Sequence, residues 1–321
     1  MTHFTDAPRL PVIDLSLFEV GNPWRDHVAA QIDWAAAEFG IFRVVNHGVE
    51  PSLIDSLMSL SRRYFARQIA AEHRLRASIA DLADCREELR FDADFTRDDA
   101  QAPSRLAAPD RELFFELPGF RDAVRDYMAT VTGLSNRLMT SFARGLHLGD
   151  NYFIDRHTGG AKAEFRIVSS KPAAQALAAA GKPDARASFE TPVAPSLLTI
   201  VNHDAHAGLE VKYGKHTIEV PSSPGALVVA IGKPLARLTE GRYAAARYRL
   251  TGSAGNEALA MPFYFGSGIQ VAARARLVHH PAQRSVEHGE RRFRGAGEDG
   301  LSHGQAAPAG WESAADLQPH L

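Results

Sequence analysis

Residues 192–203 read Pro192-Val193-Ala194-Pro195-Ser196-Leu197-Leu198-Thr199-Ile200-Val201-Asn202-His203, and this stretch decides the fold. Its apolar run, Leu197 to Val201, is too short for a buried helix and rich in strand-forming residues, so it reads as a β-strand. Side chains alternate across a strand, which places Thr199, Val201 and His203 on one face. The same kind of run recurs at Phe165-Arg166-Ile167-Val168-Ser169-Ser170, Leu209-Glu210-Val211-Lys212-Tyr213, Ala226-Leu227-Val228-Val229-Ala230-Ile231 and Met261-Pro262-Phe263-Tyr264-Phe265. Short strands punctuated by Gly and Pro turns imply an all-β sandwich or barrel.

Upstream the periodicity changes. Val28, Ile32, Ala35, Ala36 and Phe39 recur at helical spacing between Pro23 and Gly40, which predicts a helix over 24–39. Ile41-Phe42-Arg43-Val44-Val45 is a strand running into an Asn46-His47-Gly48 turn. Ser52 opens a second helix carrying Leu53, Leu57, Leu60, Tyr64 and Phe65. A third, from about Arg121 to Leu146, carries a stripe of Val124, Tyr127, Met128, Val131, Leu134, Leu138 and Phe142. Residues 68–112 are charged and irregular and read as loops over a barrel mouth. Residues 173–187 form an Ala-rich insert. A length of 321 residues allows one or two domains, laid out as helices and loops in 1–150, short strands in 160–283 and a polar tail in 284–321.

Composition narrows the function. With 36 basic and 38 acidic residues the net charge is −2, and no basic run is interleaved with aromatics, so nucleic acid is not an expected partner. Cys85 is the only cysteine, which rules out an internal disulfide and a cysteine-based zinc cluster. No apolar run reaches the ~18–20 residues of a membrane span and the first residues lack signal-peptide character, so the expectation is a soluble, cytoplasmic protein. The oligomeric state is not legible.

Near the N-terminus Leu10-Pro11-Val12-Ile13-Asp14-Leu15 is followed by Glu38-Phe39-Gly40-Ile41-Phe42-Arg43-Val44-Val45-Asn46-His47-Gly48-Val49. With residues 192–201, Gly241-Arg242-Tyr243-Ala244-Ala245-Ala246-Arg247-Tyr248-Arg249-Leu250 and Ala258-Leu259-Ala260-Met261-Pro262-Phe263-Tyr264-Phe265, these stretches resemble the isopenicillin N synthase-like branch of the Fe(II)/2-oxoglutarate-dependent oxygenases. The resemblance covers most of the chain. It implies a double-stranded β-helix, a jelly-roll or cupin-like barrel that is mainly β with flanking N-terminal helices, as a single domain over 1–321 with the helical wing in 1–150 and the barrel in 160–283, and it places Lys171 and Lys233 on loops near the barrel.

The resemblance also implies where cofactors would be held, and those positions are altered. The family's His-x-Asp falls on Pro192-Val193-Ala194, its distal His on Tyr248, and its Arg-x-Ser on Ala258-Leu259-Ala260. An Asn-x-Tyr pair that helps position the cosubstrate falls on Val168 and Ser170. Proline and alanine offer no side-chain ligand to a facial triad, and losing the Arg removes a two-pronged hold on a carboxylate. The expectation drawn from this is no metal and no cofactor. Should 2-oxoglutarate have another anchor, Lys171 or Arg166 is the first candidate.

By the same resemblance the strand face of Thr199, Val201 and His203 lines the barrel lumen, with Val168, Ser170, Phe189, Leu209, Tyr248, Leu250 and Tyr264. An apolar pocket with a few convergent polar groups suits a small molecule. His203 and Tyr248 are the candidate proton-transfer residues, placed to reach one ligand, with the others as substrate contacts. The expected function is therefore a cofactor-independent enzyme performing a cyclisation, isomerisation or elimination on a small organic molecule in specialised metabolism. Three alternatives stand beside it. One is a filled barrel or a non-catalytic binding or scaffold protein. A second is an Fe(II)/2-oxoglutarate oxygenase with displaced ligands. The third is a metal site rebuilt from His203, Asp204 and His206 or from His279 and His280, although adjacent strand residues point to opposite faces. His47 reads as part of an architectural turn and Arg249 as one half of a structural ion pair.

Overall fold

The computed structural model describes residues 9–75, 86–92, 116–158, 162–170, 188–189, 196–251 and 257–267. The polar tail, His279-His280, Lys171, Cys85, Pro192 and Ala194 lie outside the described residues. In chain order the elements are β1 (Val12–Asp14), α1 (Arg25–Glu38), β2 (Ile41–Val45), α2 (Pro51–Leu75), β3 (Arg86–Asp92), α3 (Phe120–Gly145), β4 (Lys162–Ser170) and β5 (Ser188–Phe189). Then follow β6 (Leu198–His203), β7 (Gly208–Tyr213), β8 (His216–Val220), β9 (Ala226–Ile231), α4 (Lys233–Leu238), β10 (Tyr248–Thr251) and β11 (Ala258–Ser267).

The strands form a seven-stranded sheet, β1-β2-β9-β6-β11-β4-β3, and a four-stranded sheet, β5-β10-β7-β8. All pairs are antiparallel except β1 with β2. This is the jelly-roll architecture expected from the strand pattern. The central strands are buried on both faces, which explains why they read as continuous apolar runs rather than as alternating ones. Along β6, Leu198 and Ile200 join one core and Val201 the other. On β9, Leu227, Val229 and Ile231 face the first core while Val228 and Ala230 face the second. On β11 the division is Leu259, Met261, Phe263 and Phe265 against Ala258 and Ala260.

The first core lies between the large sheet and the helices. Every residue of the expected α3 stripe, from Val124 to Phe142, is buried in it, as are Val28, Ile32, Ala35 and Ala36 of α1. The second core is the lumen between the sheets. Helix α1 hands over to β2 at Gly40, whose φ of +68° suits glycine and where an added Cβ would lie 2.3 Å from the Ala244 carbonyl oxygen. Asn46, at φ +52°, and Gly48, at +83°, make the tight turn that follows β2.

Two expectations about loops are corrected. Residues 68–112 do not form loops alone: α2 continues to Leu75, and Arg86–Asp92 is the edge strand β3, antiparallel to β4. The alternation is real but short, with Leu89 and Phe91 buried between charged neighbours, so charge count masked a two-residue period. Lys233 likewise starts α4 rather than sitting in a loop, because Pro234 in the first turn favours a helical start.

Candidate functional site in the barrel lumen

Directly paired residues on neighbouring strands project to the same side of a sheet, so the lumen can be followed row by row. Thr199 of β6 pairs with Ala230 and with Tyr264, which in turn pairs with Glu164 of β4. Val201 pairs with Val228, and Val228 with Arg43 of β2. His203 pairs with Ala260, and Ala260 with Val168. From the small sheet, Leu209 and Leu250 are buried against these rows and pair with each other. Phe189 pairs with Leu250 and Ser170 with Ala258 through the backbone.

One end of the lumen, where β6 begins, gathers phenols and a guanidinium. Tyr248 is only partly buried as a residue, yet its hydroxyl is covered and has no hydrogen bond within ordinary geometry. Burial pushes its pKa up to about 12, against the smaller opposing effects of the Thr199 hydroxyl and the Arg166 charge, so it stays protonated at neutral pH. The Thr199 hydroxyl lies 3.3 Å from that of Ser196. Tyr264 is fully buried beneath Arg166, whose guanidinium carbon is 4.8 Å from the ring centre. Arg166 is itself neutralised: Nε donates to Glu164 Oε1 at 2.6 Å, and a second nitrogen lies 3.3 Å from Glu88 Oε1. It is thus a paired charge holding β3, β4 and β11 together rather than an open anchor for a cosubstrate.

At the other end of β6 stands His203, 5% exposed. Its Nδ1 lies 2.9 Å from the carbonyl oxygen of Ala207 and 3.2 Å from that of Asp204. Carbonyls only accept, so Nδ1 carries the proton and Nε2 is the bare, accepting nitrogen. Burial lowers the pKa of this imidazole, outweighing the two carbonyls and Asp204, which favour its charged form. Ala258 and Ala260 line this end with methyl groups.

The expectation that His203 and Tyr248 converge is corrected by the register. Tyr248 sits beside Thr199, four residues along β6 from His203, a backbone separation of about 13 Å at ~3.3 Å per residue. A ligand touching both must span the lumen lengthwise. Sequence reasoning passed over Arg43 and Glu88 as lumen residues. The signal for Arg43 was its parity with Ile41, a charge inside an otherwise apolar strand; for Glu88 it was hidden by the unrecognised strand.

Among the described residues no group of three or more His, Cys, Asp and Glu side chains is arranged to hold a metal ion. In the His203–His206 cluster the carboxylate is already consumed by the fold. Asp204 Oδ1 accepts from the backbone N–H of Ala207 at 2.7 Å and of His206 at 2.9 Å, while Oδ2 accepts from Leu259 at 3.1 Å and pairs with Arg62 at 2.8 Å. Tyr248 offers a protonated phenol. The described residues therefore do not by themselves complete a ligand set for iron, and no chemical step is derived through one. His47 keeps its place in the turn after β2, with Nδ1 accepting from the N–H of Val49 at 3.1 Å. Arg249 donates from Nε to Glu210 at 2.7 Å across the paired strands. No helix among the described residues is long and apolar enough to cross a membrane.

Comparison with known proteins bears directly on the chemistry. Residues 10–104 match the family model for the N-terminal region of a non-haem dioxygenase in morphine synthesis, and residues 177–265 match that of the 2OG-Fe(II) oxygenase superfamily. Between them the two cover more than half of the chain. Flavanone 3-dioxygenase 2 of Oryza sativa subsp. japonica is 28% identical over 75% of this chain and 68% of its own. A 2-oxoglutarate-Fe(II) type oxidoreductase, ppzC, of Metarhizium majus is 27% identical over 81% of this chain and 78% of its own. Among solved structures, the dioxygenase for auxin oxidation 1 from Arabidopsis thaliana, in its binary complex with 2-oxoglutarate, superposes with a TM-score of 0.62 at 18% identity, covering 82% of this chain and 94% of that one. These matches overturn the expectation of a metal-independent cyclase, isomerase or lyase, a pseudo-oxygenase without cofactors. The second model spans the very segment in which ligands were taken to be lost, and the relatives are dioxygenases and oxidoreductases. The chain belongs to the isopenicillin N synthase-like family of Fe(II)/2-oxoglutarate-dependent oxygenases.

Proposed function

We propose that this chain is an oxidoreductase of the Fe(II)/2-oxoglutarate type acting on a small organic molecule in the lumen, with its ligands displaced from the family's usual positions. The reading is supported by the family match over residues 177–265. Iron with 2-oxoglutarate supplies oxidising power when bound. The chain's own contribution is argued from the lumen. Leu209, Leu250, Val201 and Val228 give a substrate an apolar enclosure that excludes water. Tyr248, protonated and covered, can donate one hydrogen bond from its hydroxyl at the end where β6 begins. Thr199 adds a hydroxyl beside it. Arg166, locked to Glu164 and Glu88, keeps the Tyr264 ring and the wall it belongs to in place.

The test is anaerobic reconstitution of purified protein with Fe(II), elemental analysis after desalting, and measurement of succinate formed from 2-oxoglutarate. Iron near one per chain together with succinate release supports the reading. Protein that keeps no iron and consumes no 2-oxoglutarate after reconstitution overturns it.

A further inference from the structure

Of the guanidiniums on the lumen face of the large sheet, Arg166 and Arg43 differ in one respect. Arg166 is neutralised by Glu164 and Glu88. Arg43 is not: it is half-buried, and no described carboxylate pairs with its side chain. Its inward parity is fixed by register, because its partner Val228 belongs to the lumen core and its neighbours Phe42 and Val44 belong to the helix-side core. A charge withdrawn from water without a counter-charge is destabilising, so such an arginine asks for an anion.

The group nearest in kind is His203, close enough for Arg43 to lower its pKa further. Arg43 and His203 stand on strands separated by β9 alone and two residues apart along them, a backbone separation of about 12 Å at ~4.8 Å per strand and ~3.3 Å per residue, which one long side chain and a small ligand bridge. His203 presents an accepting Nε2, since Nδ1–H is committed to the Ala207 carbonyl. Around them Ala207, Ala258 and Ala260 leave methyl-sized walls, and Val201, Val228, Leu209 and Leu250 continue the surface along the lumen.

We infer that Arg43 and His203 form a recognition site for a small 2-hydroxy- or 2-amino-carboxylic acid: the carboxylate pairs with the Arg43 guanidinium, the adjacent O–H or N–H donates to Nε2 of His203, and an apolar body extends toward Tyr248. Guanidinium and carboxylate match in geometry, and the charge-assisted bonds are strong where water is sparse. As the substrate end of an oxidoreductase the site rests on the proposal above; as a binding site it does not. A carboxylate could also come from 2-oxoglutarate, which carries no hydrogen to donate to His203, so the imidazole separates the two sources.

The experiment is calorimetric titration of chelator-treated, metal-free protein with mandelate and 2-hydroxyisocaproate, their methyl esters, 4-methylpentanoate, and 2-oxoglutarate. The hydroxy acids are expected to bind, the esters not, and Arg43→Gln to weaken the acids by about tenfold or more, with Arg43→Lys intermediate. His203→Leu is expected to abolish the preference for 2-hydroxyisocaproate over 4-methylpentanoate while keeping carboxylate binding. Without ligand, Arg43→Gln should melt at or above the wild-type temperature, because an unpaired charge has been removed. The inference is overturned if no acid binds, if Arg43→Gln binds equally well, if 2-oxoglutarate binds as tightly as the hydroxy acids in the wild type, or if Arg43→Gln is strongly destabilised. Because iron is absent throughout, a failed metal reconstitution leaves this result standing, and a failed titration leaves the oxidoreductase reading standing.

Discussion

Asp204→Ala separates a fold-building carboxylate from a metal ligand. The Asp204 side chain is 8% exposed and closes the corner between β6, β7 and β11 through four contacts. Removing it strands the N–H of Leu259, a residue 1% exposed, at a cost of about 1–3 kcal/mol. The Ala207 N–H loses its 2.7 Å bond but keeps a longer one, 3.3 Å, to the Asp204 carbonyl, so it adds less. Arg62 is 47% exposed, so its pair contributes no more than about 1 kcal/mol. The sum is about 2–4 kcal/mol of lost stability. Urea unfolding followed by circular dichroism should show the midpoint falling with the slope unchanged. Asp204→Asn, which keeps one accepting oxygen, should fall between, and Arg62→Ala should change little. A midpoint within about 0.5 kcal/mol of wild type would refute the structural role. If that variant also lost reconstituted iron, Asp204 would be a ligand after all.

Two further outcomes follow from backbone geometry and burial. Gly232→Ala should cost more than about 3 kcal/mol or give insoluble protein, because the new Cβ would lie 1.8 Å from the Ser196 carbonyl oxygen at the join of β6 and β9. Gly214→Ala, at φ +57° with open space around it, should cost only about 1 kcal/mol; equal damage in both would refute the steric account. For His203 the folded-state pKa is depressed, so protons bind the unfolded chain more readily. The contribution is complete above the ordinary value near 6.5 and is lost as pH falls through the folded value. Unfolding midpoints measured between about pH 7 and pH 5 should fall in the wild type and fall less steeply in His203→Gln. His47, also depressed, leaves a residual slope, and identical slopes in both proteins would remove His203 from the effect.

The elements legible in the sequence were those whose hydrophobic pattern has one dominant period. The α3 stripe and the runs of β6, β7, β9 and β11 stood out because burial on one stripe, or on both faces, repeats over many residues. Strand β3 did not stand out, since only Leu89 and Phe91 are apolar among seven residues and the intervening charges face the mouth-side ion pairs. The Thr199, Val201 and His203 parity was readable because it needs only alternation. The distance between His203 and Tyr248 was not, because which end of β6 the small sheet brings Tyr248 to is a matter of register between distant segments. Arg43 was visible as a residue but not as an unpaired one, since pairing depends on what the other strands place opposite it.

The division of the sheet into two faces also separates the positions that hold the fold from those that shape the lumen. On β11 the helix-side positions are Leu259, Met261, Phe263 and Phe265, large side chains packed in the main core, whereas the lumen side offers Ala258 and Ala260 at one end and Tyr264 at the other. Most of the buried apolar area, and so most of the stabilisation at roughly 25 cal/mol per Å², sits on the helix side. A substitution on the lumen side removes little of it. The strand keeps its register through the large residues while the inward row can change at less cost to the fold. Polar groups left inward are then held by what the fold can spare: Glu88 and Glu164 for Arg166, the Ala207 carbonyl for His203. Arg43 faces the same lumen with no such partner among the described residues, which is why it is the proposed anchor for a ligand carboxylate.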